Sequence, residues 1–522
     1  FREKKWLKEK EENLSGDDCQ EGLYLVFNLT TPGVSYDAQT KSRIVKLDMS
    51  PFTPWITESI RQWLELNEKS IKIIADKALN ARRAREAARK ARETVRNQNE
   101  KKQKKWLDKS VPSIKETYED IFDSFGIACE YGPELSDSSV QKGLAKHANS
   151  ITMGNDFKPQ FMTEWYSGKA PSSFSKVDFT ASNGLTIKVP AKLSGKERLE
   201  KILEVCSKNN LKLRGHVLTW HSQTSDDFFA ENYKAKYDGD MITNLVSKEE
   251  MTARHEWYIK TMMDYVADWE EKNGYAGRKT GEHVLWAWDV VNEACADDAG
   301  KTYSGENQNW LRGSTKDTKN KSPQNGGGSR WFQVYGDDEF IINAFRFATA
   351  YAPEDVVLCY NDYNEYMEWG GDHGAWKTSA ILKLMDNVRN AEAKVVNGKS
   401  VKPRIDVMGM QAHVGISWPG VKGFETALQK YLTAGYDVHV TELDFSAKNA
   451  DEAAKAYSEY FKMLKKYGKK SSYPKKVRNV TVWGINNENS WIFKGDTKNP
   501  LLFSKINGNY YTNPSFDAVI EA

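Results

Sequence analysis

From about Val111 onward, short apolar runs alternate with longer amphipathic runs. Eight of the short runs are rich in β-branched and aromatic residues and predict strands: FGIACE, NSITMGN, LKLRGHVLTW, HVLWAWDVVNE, VVLCYNDYN, DVMGMQAHV, DVHVTELD and RNVTVWGI. The runs between them have helical periodicity, as in SGKERLEKILEVCSKN, DEFIINAFRFATAYA, FETALQKYLTAG and DEAAKAYSEYFKMLKKYG. Eight such alternations predict an α/β fold, a (β/α)8 TIM barrel over residues 111–522. A doubly wound open sheet is the alternative, but no GxGxxG follows a first strand.

The first 110 residues have a different pattern. Residues 1–56 contain two strand-like runs, GLYLVFNLTT and SRIVKLDM, which we interpret as the remnant of a β-rich accessory module. Residues 57–110 are rich in Ala, Arg, Lys and Glu, and they predict one long exposed basic helix that acts as a linker. A rod that binds an anionic polymer or a membrane surface is a second interpretation. We favour the solvated linker because glutamates are interleaved with the basic residues.

Charge and composition exclude several classes of protein. Residues 1–110 carry 24 basic and 17 acidic residues, and the remainder of the 522-residue chain carries 51 and 55. A mildly acidic main part does not suggest a nucleic-acid partner. No stretch approaches 18 apolar residues, so we predict no transmembrane helix. Five scattered cysteines without CxxC argue against a disulfide scaffold or a zinc site, although one bridge stays open.

Polar residues close most of the predicted strands. They are Asn155 and Lys158, the run from His216 to Gln223, Asn292 and Glu293, the run from Asn361 to Asn364, Gln411 and His413, and Glu442 and Asp444. The carboxyl ends of barrel strands all point to one face, where active sites of this fold assemble. Charged groups at six strand ends would be unsatisfied unless they served one site. The sequence therefore predicts a single site at this face.

Two carboxylates stand out among these residues. Glu293 lies in WDVVNEA and Glu442 in VTELD. Two facing carboxylates can hydrolyse a glycosidic bond, because one protonates the leaving oxygen while the other attacks the anomeric carbon or activates water. A retaining enzyme holds them about 5–5.5 Å apart. The alternative, that each is a charge at a helix N-terminus, is disfavoured for the pair in this context.

The stretch from about Ser113 to Ala522 resembles the glycoside hydrolase family 10 xylanases. The motifs that carry the resemblance are NSIT..N..KP, RGHVLTWHSQ, WDVVNEA, YNDYN, GMQAHV, VTELD and VTVWGINNENSW. It implies endo-acting, retaining hydrolysis of β-1,4-xylan, with Glu293 as general acid/base and Glu442 as nucleophile. It also implies catalytic support from Asn292 at the sugar 2-hydroxyl and from His413, which contacts the nucleophile and is oriented by Asp444.

The resemblance further implies a set of substrate-binding residues. These are Asn155, Lys158, His216, Trp220 and Gln223 on the glycone side, Gln411 beside the catalytic pair, Tyr363 on the aglycone side, and Trp483 and Trp491 as floor and cap of the cleft. Core filling is the alternative for Trp483. His216 and His221 could form a metal pair, but no third ligand follows at a convincing spacing. The two-carboxylate mechanism requires no metal and no organic cofactor.

The chain departs from the family pattern in three places. Gly154 stands where the family usually has a carboxylate that binds a glycone xylose, which puts the distal glycone subsite in doubt. The loop after Glu293, residues 295–329, is long and rich in Gly, Asn, Ser and Lys, and we expect it to be exposed and to shape the aglycone subsites. Deleting it should change product lengths but spare aryl xylobioside hydrolysis. The N-terminal helix lies outside the motif set.

The implied partners are xylan and xylo-oligosaccharides, and we expect a monomer without nucleic-acid or membrane partners. The sequence begins at Phe1 without a visible signal peptide, and we expect a mature chain or a fragment. A polymer substrate implies an extracellular or cell-surface location. A related retaining β-1,4-glucanase stays open, because only a tight cleft would exclude the glucose hydroxymethyl group. A non-catalytic carbohydrate-binding barrel and a polyanion-binding or scaffolding role for the basic helix are the remaining alternatives.

Overall fold

The computed structural model describes residues 14, 35–36, 44–46, 50, 52–165, 168–275, 283–297, 310–315, 317–323, 327–369 and 375–522. Contacts divide the chain into two compact units, Phe1–Gln103 and Lys104–Ala522. Within the described ranges, no helix has the length and apolar character needed to cross a bilayer. Cys129, Cys206, Cys295 and Cys359 are buried free thiols.

The described part of the first unit is mainly helical. Ser35–Tyr36 pairs antiparallel with Ile44–Lys46, which lies in the second predicted strand run, whereas the first run, residues 22–31, lies outside the described residues. Helices α1, Thr53–Leu66, and α2, Glu68–Lys102, replace the single predicted helix.

The break between α1 and α2 is at Asn67. Its backbone leaves the helical region (φ −123°, ψ 59°), and its side-chain amide donates to the Trp63 carbonyl over 2.7 Å. The predicted exposure of this helical segment is also only partial. Ala75, Ala78 and Arg82, spaced as one helical stripe, are buried.

The second unit is a barrel of eight parallel strands. In chain order these are β1 Ser124–Cys129, β2 Ser150–Met153, β3 Lys212–Trp220, β4 Leu285–Asn292, β5 Val357–Asp362, β6 Val407–Met410, β7 Asp437–Ser446 and β8 Val477–Val482. Each strand pairs with the next, and β8 pairs with β1, which closes the barrel. The eight strands match the eight predicted runs. Closure confirms the (β/α)8 fold and excludes the open sheet.

Helices surround the barrel; the first of them precedes β1, the last follows β8, and the others join successive strands. They are α3 Ile114–Tyr118, α4 Ser138–His147, α5 Lys196–Lys208, α6 Lys248–Lys272, α7 Arg330–Tyr335, α8 Glu339–Tyr351, α9 Lys377–Asn390, α10 Gly420–Thr433, α11 Ala450–Lys465 and α12 Pro514–Glu521. Side chains before the first turn fix where several of them start. Ser247 accepts from the Glu250 amide and Asn449 from the Glu452 amide, so one free N–H group at the start of each of α6 and α11 is satisfied.

Short hairpins decorate the connections. They pair Lys176–Thr180 with Thr186–Pro190, Tyr237–Asp238 with Met241–Ile242, Glu368–Trp369 with Ala375–Trp376, Lys394–Val396 with Lys399–Val401, and Phe503–Ile506 with Asn509–Thr512. Single helical turns lie at Tyr131–Leu135, Phe161–Trp165, Pro171–Ser173, Asp226–Phe229, Glu231–Tyr233 and Asn487–Asn489. His413–Gly415 follows β6 as a short strand that pairs with the end of β7.

Trp106 anchors the start of the barrel unit. Its backbone N–H donates to the Tyr510 carbonyl over 3.0 Å, and its ring packs on the Tyr510 ring with centroids 4.6 Å apart. Gly143 on α4 leaves room for it, since a Cβ at that position would lie 2.1 Å from the indole. The unit therefore begins before residue 111, where the sequence pattern places the barrel boundary.

Candidate active site

The polar residues at the carboxyl ends of the strands surround one cleft of about 750 Å³. Twelve of the fourteen predicted site residues line it: Asn155, Lys158, His216, Trp220, Asn292, Glu293, Tyr363, Gln411, His413, Glu442, Trp483 and Trp491. The other two lie next to it. Asp444 is buried behind His413, and Gln223 donates to Asn155 Oδ1 over 3.3 Å.

Glu442 is a buried carboxylate on β7. Its Oε2 contacts His413 Nε2 at 3.2 Å and its Oε1 accepts from Asn361 Nδ2 at 2.8 Å. Burial alone would raise the pKa of Glu442, but the hydrogen bond from His413 and the charges of His216 and His413 outweigh burial and lower it. Glu442 is therefore ionised, as a nucleophilic carboxylate must be.

His413 is held between two carboxylates. Nδ1 lies 2.9 Å from Asp444 Oδ1, and Nε2 faces Glu442. Burial opposes its charge, yet the charge of Asp444 and the hydrogen bonds to Asp444 and Glu442 raise the pKa of His413 well above its ordinary value. Because both ring nitrogens face acceptors, the imidazole is a cation that donates in both directions.

Glu293 follows β4 in an unusual backbone conformation. Its φ of 55° is in the left-handed region, which non-glycine residues rarely adopt except at functional sites. Two hydrogen bonds hold it there: its amide donates to the Asn361 carbonyl over 2.8 Å, and its carbonyl accepts from Arg312 Nε over 2.9 Å. The half-buried carboxylate accepts from Trp220 Nε1 at 3.0 Å, which fixes it at the cleft wall.

Side-chain amides connect the two carboxylates. Asn292 Oδ1 accepts from Asn361 Nδ2 at 2.9 Å and from Gln411 Nε2 at 3.2 Å. The same Asn361 nitrogen contacts Glu442, and the same Gln411 nitrogen contacts Glu293 Oε1 at 3.0 Å. Asn292 Nδ2 also donates to Glu293 Oε1 over 3.1 Å. Glu293 and Glu442 thus belong to one hydrogen-bonded site, with only amide groups linking them.

Lys158 supplies a buried amine beside the pair. Its Nζ donates to Asn155 Oδ1 over 2.9 Å and lies 4.9 Å from the centre of the Trp220 ring. Burial lowers the pKa of Lys158, opposed by the charges of Glu442, Glu130 and Glu293. An amine with three carboxylates around it is suited to donate to sugar hydroxyls.

Two tryptophans from the segment after β8 flank the histidines. The Trp483 ring lies edge-on to His216 with centroids 5.4 Å apart, and it is half-buried on the cleft rather than part of the core. Trp491 is 57% exposed, and its Nε1 donates to Asp444 Oδ2 over 2.8 Å. One polar contact thus fixes an otherwise exposed aromatic face over the cleft.

Sequence reasoning missed a buried ion cluster beneath the site. Arg214 on β3 makes a two-pronged ion pair with Asp289 on β4, and His216 Nδ1 donates to the same carboxylate over 2.9 Å. Burial alone would raise the pKa of Asp289. The charge of Arg214 and the hydrogen bond from His216 outweigh burial, so the pKa is lowered. Arg214 and Asp289 lie inside apolar strand runs, and they meet only because β3 and β4 are neighbours in the barrel. No local sequence signal therefore singled them out.

A second network that the sequence did not indicate surrounds Tyr363, which directly follows β5. Lys377, fully buried, forms ion pairs with Asp362 at 2.9 Å and with Asp297. The Tyr363 hydroxyl donates to Asp297, and the centre of the Tyr363 ring lies 4.0 Å from Lys377 Nζ. Arg312 donates to the Tyr363 oxygen over 3.1 Å. This network fixes the predicted aglycone-side aromatic.

The long segment after Glu293 is only partly a surface loop. Trp310 and Leu311 are buried core residues, and Arg312 bonds the backbone of Glu293 and Cys295. The expectation of an exposed loop throughout is therefore wrong for residues 310–312. Removing the whole segment would also remove core residues.

Among the described residues, His216 and His221 are not part of a metal-binding group. Across the described ranges, no group of three or more His, Cys, Asp or Glu side chains has metal-binding geometry. His221, the second member of the hypothetical histidine pair, is buried, and burial followed by the charges of Arg312 and Lys377 holds its pKa well below the ordinary value.

Two family models match different parts of the chain. The family model described as glycosyl hydrolase family 10 matches residues 113–522. A second model, described as DNA gyrase B, matches residues 1–94, which include most of the predicted accessory segment and linker.

Individual relatives agree with the first match. The chain is 34% identical over 395 residues to endo-1,4-beta-xylanase Y of Acetivibrio thermocellus, covering 74% of this chain and 30% of that protein. It is 30% identical over 394 residues to the bifunctional endo-1,4-beta-xylanase XylA of Ruminococcus flavefaciens, covering 74% and 32%. The chain thus spans about a third of the length of these two relatives.

A solved structure is similar over the same region. The N-terminal endo-1,4-beta-D-xylanase 10B of Clostridium thermocellum, complexed with xylohexaose, superposes with a TM-score of 0.59 at 31% identity. The superposition covers 80% of this chain and 68% of that one.

Proposed function

The chain belongs to glycosyl hydrolase family 10, and on this basis we propose that it hydrolyses internal β-1,4-xylosidic bonds in xylan and xylo-oligosaccharides by a retaining double displacement. The observation that carries the proposal is the amide network that joins Glu293 to an ionised Glu442 in one cleft. The similarity to xylanases, one of them complexed with xylohexaose, supports the substrate class.

In the first step Glu442 is the nucleophile. Its ionised carboxylate attacks the anomeric carbon while protonated Glu293 gives its proton to the glycosidic oxygen. The carbon–oxygen bond breaks, the aglycone sugar leaves as an alcohol, and a glycosyl ester forms on Glu442. His413 keeps the attacking carboxylate charged and oriented, and Asn292 is available to the sugar 2-hydroxyl.

In the second step the roles reverse. Glu293, now ionised, takes a proton from water, and the water oxygen attacks the anomeric carbon. The ester bond to Glu442 breaks and the carboxylate is regenerated. Two inversions at one carbon leave the product in the β configuration.

The test is reducing-sugar release from xylan and from carboxymethyl cellulose by the intact chain, Glu293→Gln and Glu442→Gln. We expect strong activity on xylan that both substitutions abolish, and fresh products with β anomers by NMR. Preference for cellulose would move the substrate to glucan and keep the mechanism. Xylan binding without hydrolysis by the intact chain would instead support a carbohydrate-binding barrel.

We also propose that the protein acts outside the cell or on its surface, as a monomer without nucleic-acid or membrane partners. The proposed location rests on the substrate, since a polymer cannot enter most cells. Fractionating cultures of the source organism tests the location, and light scattering of the purified chain tests the oligomeric state. Protein found only in the cytosol would overturn the location.

A further inference from the structure

A missing side chain at position 154 makes room for a carboxylate from another strand. Gly154 follows β2, and a Cβ built on it would lie 2.3 Å from Glu130 Oε1 and 3.2 Å from the Glu130 carboxyl carbon. Its φ is not in the left-handed region, so the backbone does not need glycine here. The glycine provides space, because a side chain at 154 would overlap the Glu130 carboxylate in its present position.

Glu130 is held with one oxygen unused. It directly follows β1, lines the cleft that holds Glu293 and Glu442, and its Oε1 accepts from Asn155 Nδ2 at 2.7 Å. Among the described residues, this contact with Oε1 is the one hydrogen bond to the Glu130 carboxylate. Burial, and then the charge of Asp156, raise the pKa of Glu130 to about 7. The carboxylate is thus partly desolvated and short of donors in the free protein.

The strand order fixes the flank of the cleft on which Glu130 lies. The acid/base candidate ends β4 and the nucleophile candidate lies on β7, so β8, β1, β2 and β3 form one flank and β5 and β6 the other. Glu130 shares the first flank with Asn155 and Lys158, the predicted glycone contacts, and lies opposite Tyr363.

Lys158 lies between Glu130 and the reacting groups. The Lys158 Nζ lies 4.9 Å from the centre of the Trp220 ring, and the Trp220 Nε1 donates to Glu293. On its other side Lys158 donates to Asn155 Oδ1 over 2.9 Å, and Asn155 Nδ2 donates to Glu130 Oε1 over 2.7 Å. Along this series of contacts Glu130 is therefore further from Glu293 than Lys158 is.

We infer that Glu130 binds hydroxyl groups of the second glycone xylose, and that Gly154 is the small residue that admits it. This rests on the proposed xylanase function, and it restores from β1 the carboxylate that the sequence lacks at 154. Hydrogen bonds from sugar hydroxyls to a carboxylate are charge-assisted and stronger than neutral ones. Glu130 thus sets a preference for substrates with at least two glycone sugars.

The experiment compares kcat/KM for an aryl β-xyloside, with one glycone sugar, and an aryl β-xylobioside, with two. We expect Glu130→Gln to lower kcat/KM for the xylobioside about ten- to a hundredfold and to change the xyloside less than about threefold. Asp137→Asn is the matched control, because it removes an acidic charge outside the cleft, while asparagine can still accept from the Ser139 amide at the start of α4. Its xylobioside-to-xyloside ratio should stay unchanged.

Two further variants separate binding from folding. Gly154→Ala crowds only the mobile end of Glu130, so it should fold normally, shown by an unchanged melting temperature, and still lose xylobioside preference. The combination of Glu130→Ala with Gly154→Glu should regain part of that preference, because the carboxylate returns from the other strand.

The outcomes distinguish this inference from the proposed function. If the intact chain hydrolyses xylan but Glu130→Gln lowers both aryl glycosides equally, or neither, Glu130 is a structural or positioning residue and the inference is wrong. If the intact chain neither hydrolyses xylan nor binds xylotriose in calorimetry, the proposed function fails and takes the inference with it. A regained preference for the aryl xylobioside in the variant that combines Glu130→Ala with Gly154→Glu supports both the proposed function and the role of Glu130.

Discussion

His413 holds the charge of Glu442 from 3.2 Å away, and its own charge is held by Asp444 at 2.9 Å. The three groups form a line in which a cation lies between two anions. A buried nucleophile would otherwise be protonated more easily, because burial disfavours its charged form. The histidine thus determines the lowest pH at which the nucleophile is available.

The first prediction is a shift of the acid limb of the pH profile. Glu442 must be ionised to attack, so kcat/KM falls as the pH drops through its pKa, which the site holds below the ordinary 4.5. His413→Gln removes the cation, burial then dominates, and the acid limb should move to higher pH. The measurement is kcat/KM of an aryl xylobioside against pH. An acid limb that stays in place would contradict the role given to His413.

The second prediction separates the two glutamates by leaving group. Glu293→Ala should lose about 10²–10⁴-fold on xylan, where the leaving oxygen needs a proton. With 2,4-dinitrophenyl xylobioside, which leaves without a proton, the first step should be nearly unaffected, seen as a burst of nitrophenolate. Glu442→Ala is the control and should lose both reactions. An equal loss on both substrates for Glu293→Ala would remove it as the acid.

The third prediction concerns Tyr363 and the opposite flank. Tyr363→Ala should lower kcat/KM for xylotetraose by about tenfold, the effect of roughly 1.4 kcal/mol of lost contact. An aryl xylobioside places no sugar on that side and should change less than about twofold. Tyr363→Phe keeps the ring but loses the hydroxyl contacts with Asp297 and Arg312, so its loss on xylotetraose should be smaller than that of Tyr363→Ala. Equal losses on both substrates would show that Tyr363 acts by holding Arg312 instead.

The fourth prediction tests where the barrel unit begins. A chain starting at Lys104 should keep full xylan activity, because the division between the units falls just before it. Trp106→Ala should cost about 3–5 kcal/mol of unfolding free energy in urea titration, as loss of a buried indole does. Leu107→Ala is the adjacent control, since Leu107 is 40% exposed and should change stability by under about 0.5 kcal/mol. A Trp106 variant as stable as the control would place the boundary further along.

The periodic pattern predicted the barrel, and the polar strand ends together with the resemblance to family 10 predicted most of its site. Six of the eight apolar runs ended in polar residues, and a barrel brings all strand ends to one face, so residues as distant as Asn155 and Glu442 were predicted to share a cleft and do so. Glu130, the last residue of the run FGIACE, is likewise a polar residue at the end of a predicted strand. The sequence did not single it out, because its proximity to position 154 results from the pairing of β1 with β2.

Other features depend on information that no local pattern carries. Asn361 bridges two partners from β4 and β7, which requires knowledge of how side chains point across the barrel. Trp106 stands in a lysine-rich run that reads as solvated linker, yet tertiary packing buries it. The helix break at Asn67 arises where neither Pro nor Gly signals it.

The mutual exclusion of Glu130 and a side chain at 154 also constrains how relatives can diverge. Losing the carboxylate at 130 alone leaves this part of the cleft without a carboxylate. Gaining one at 154 alone places two crowded carboxylates together, and these repel each other. Both intermediates are disadvantaged, so the two positions should covary across an alignment. Relatives should divide into one group with glutamate after β1 and glycine after β2, and another with the carboxylate after β2 and a smaller residue after β1. Each lineage would then have inherited one of two equivalent solutions to the same sugar contact.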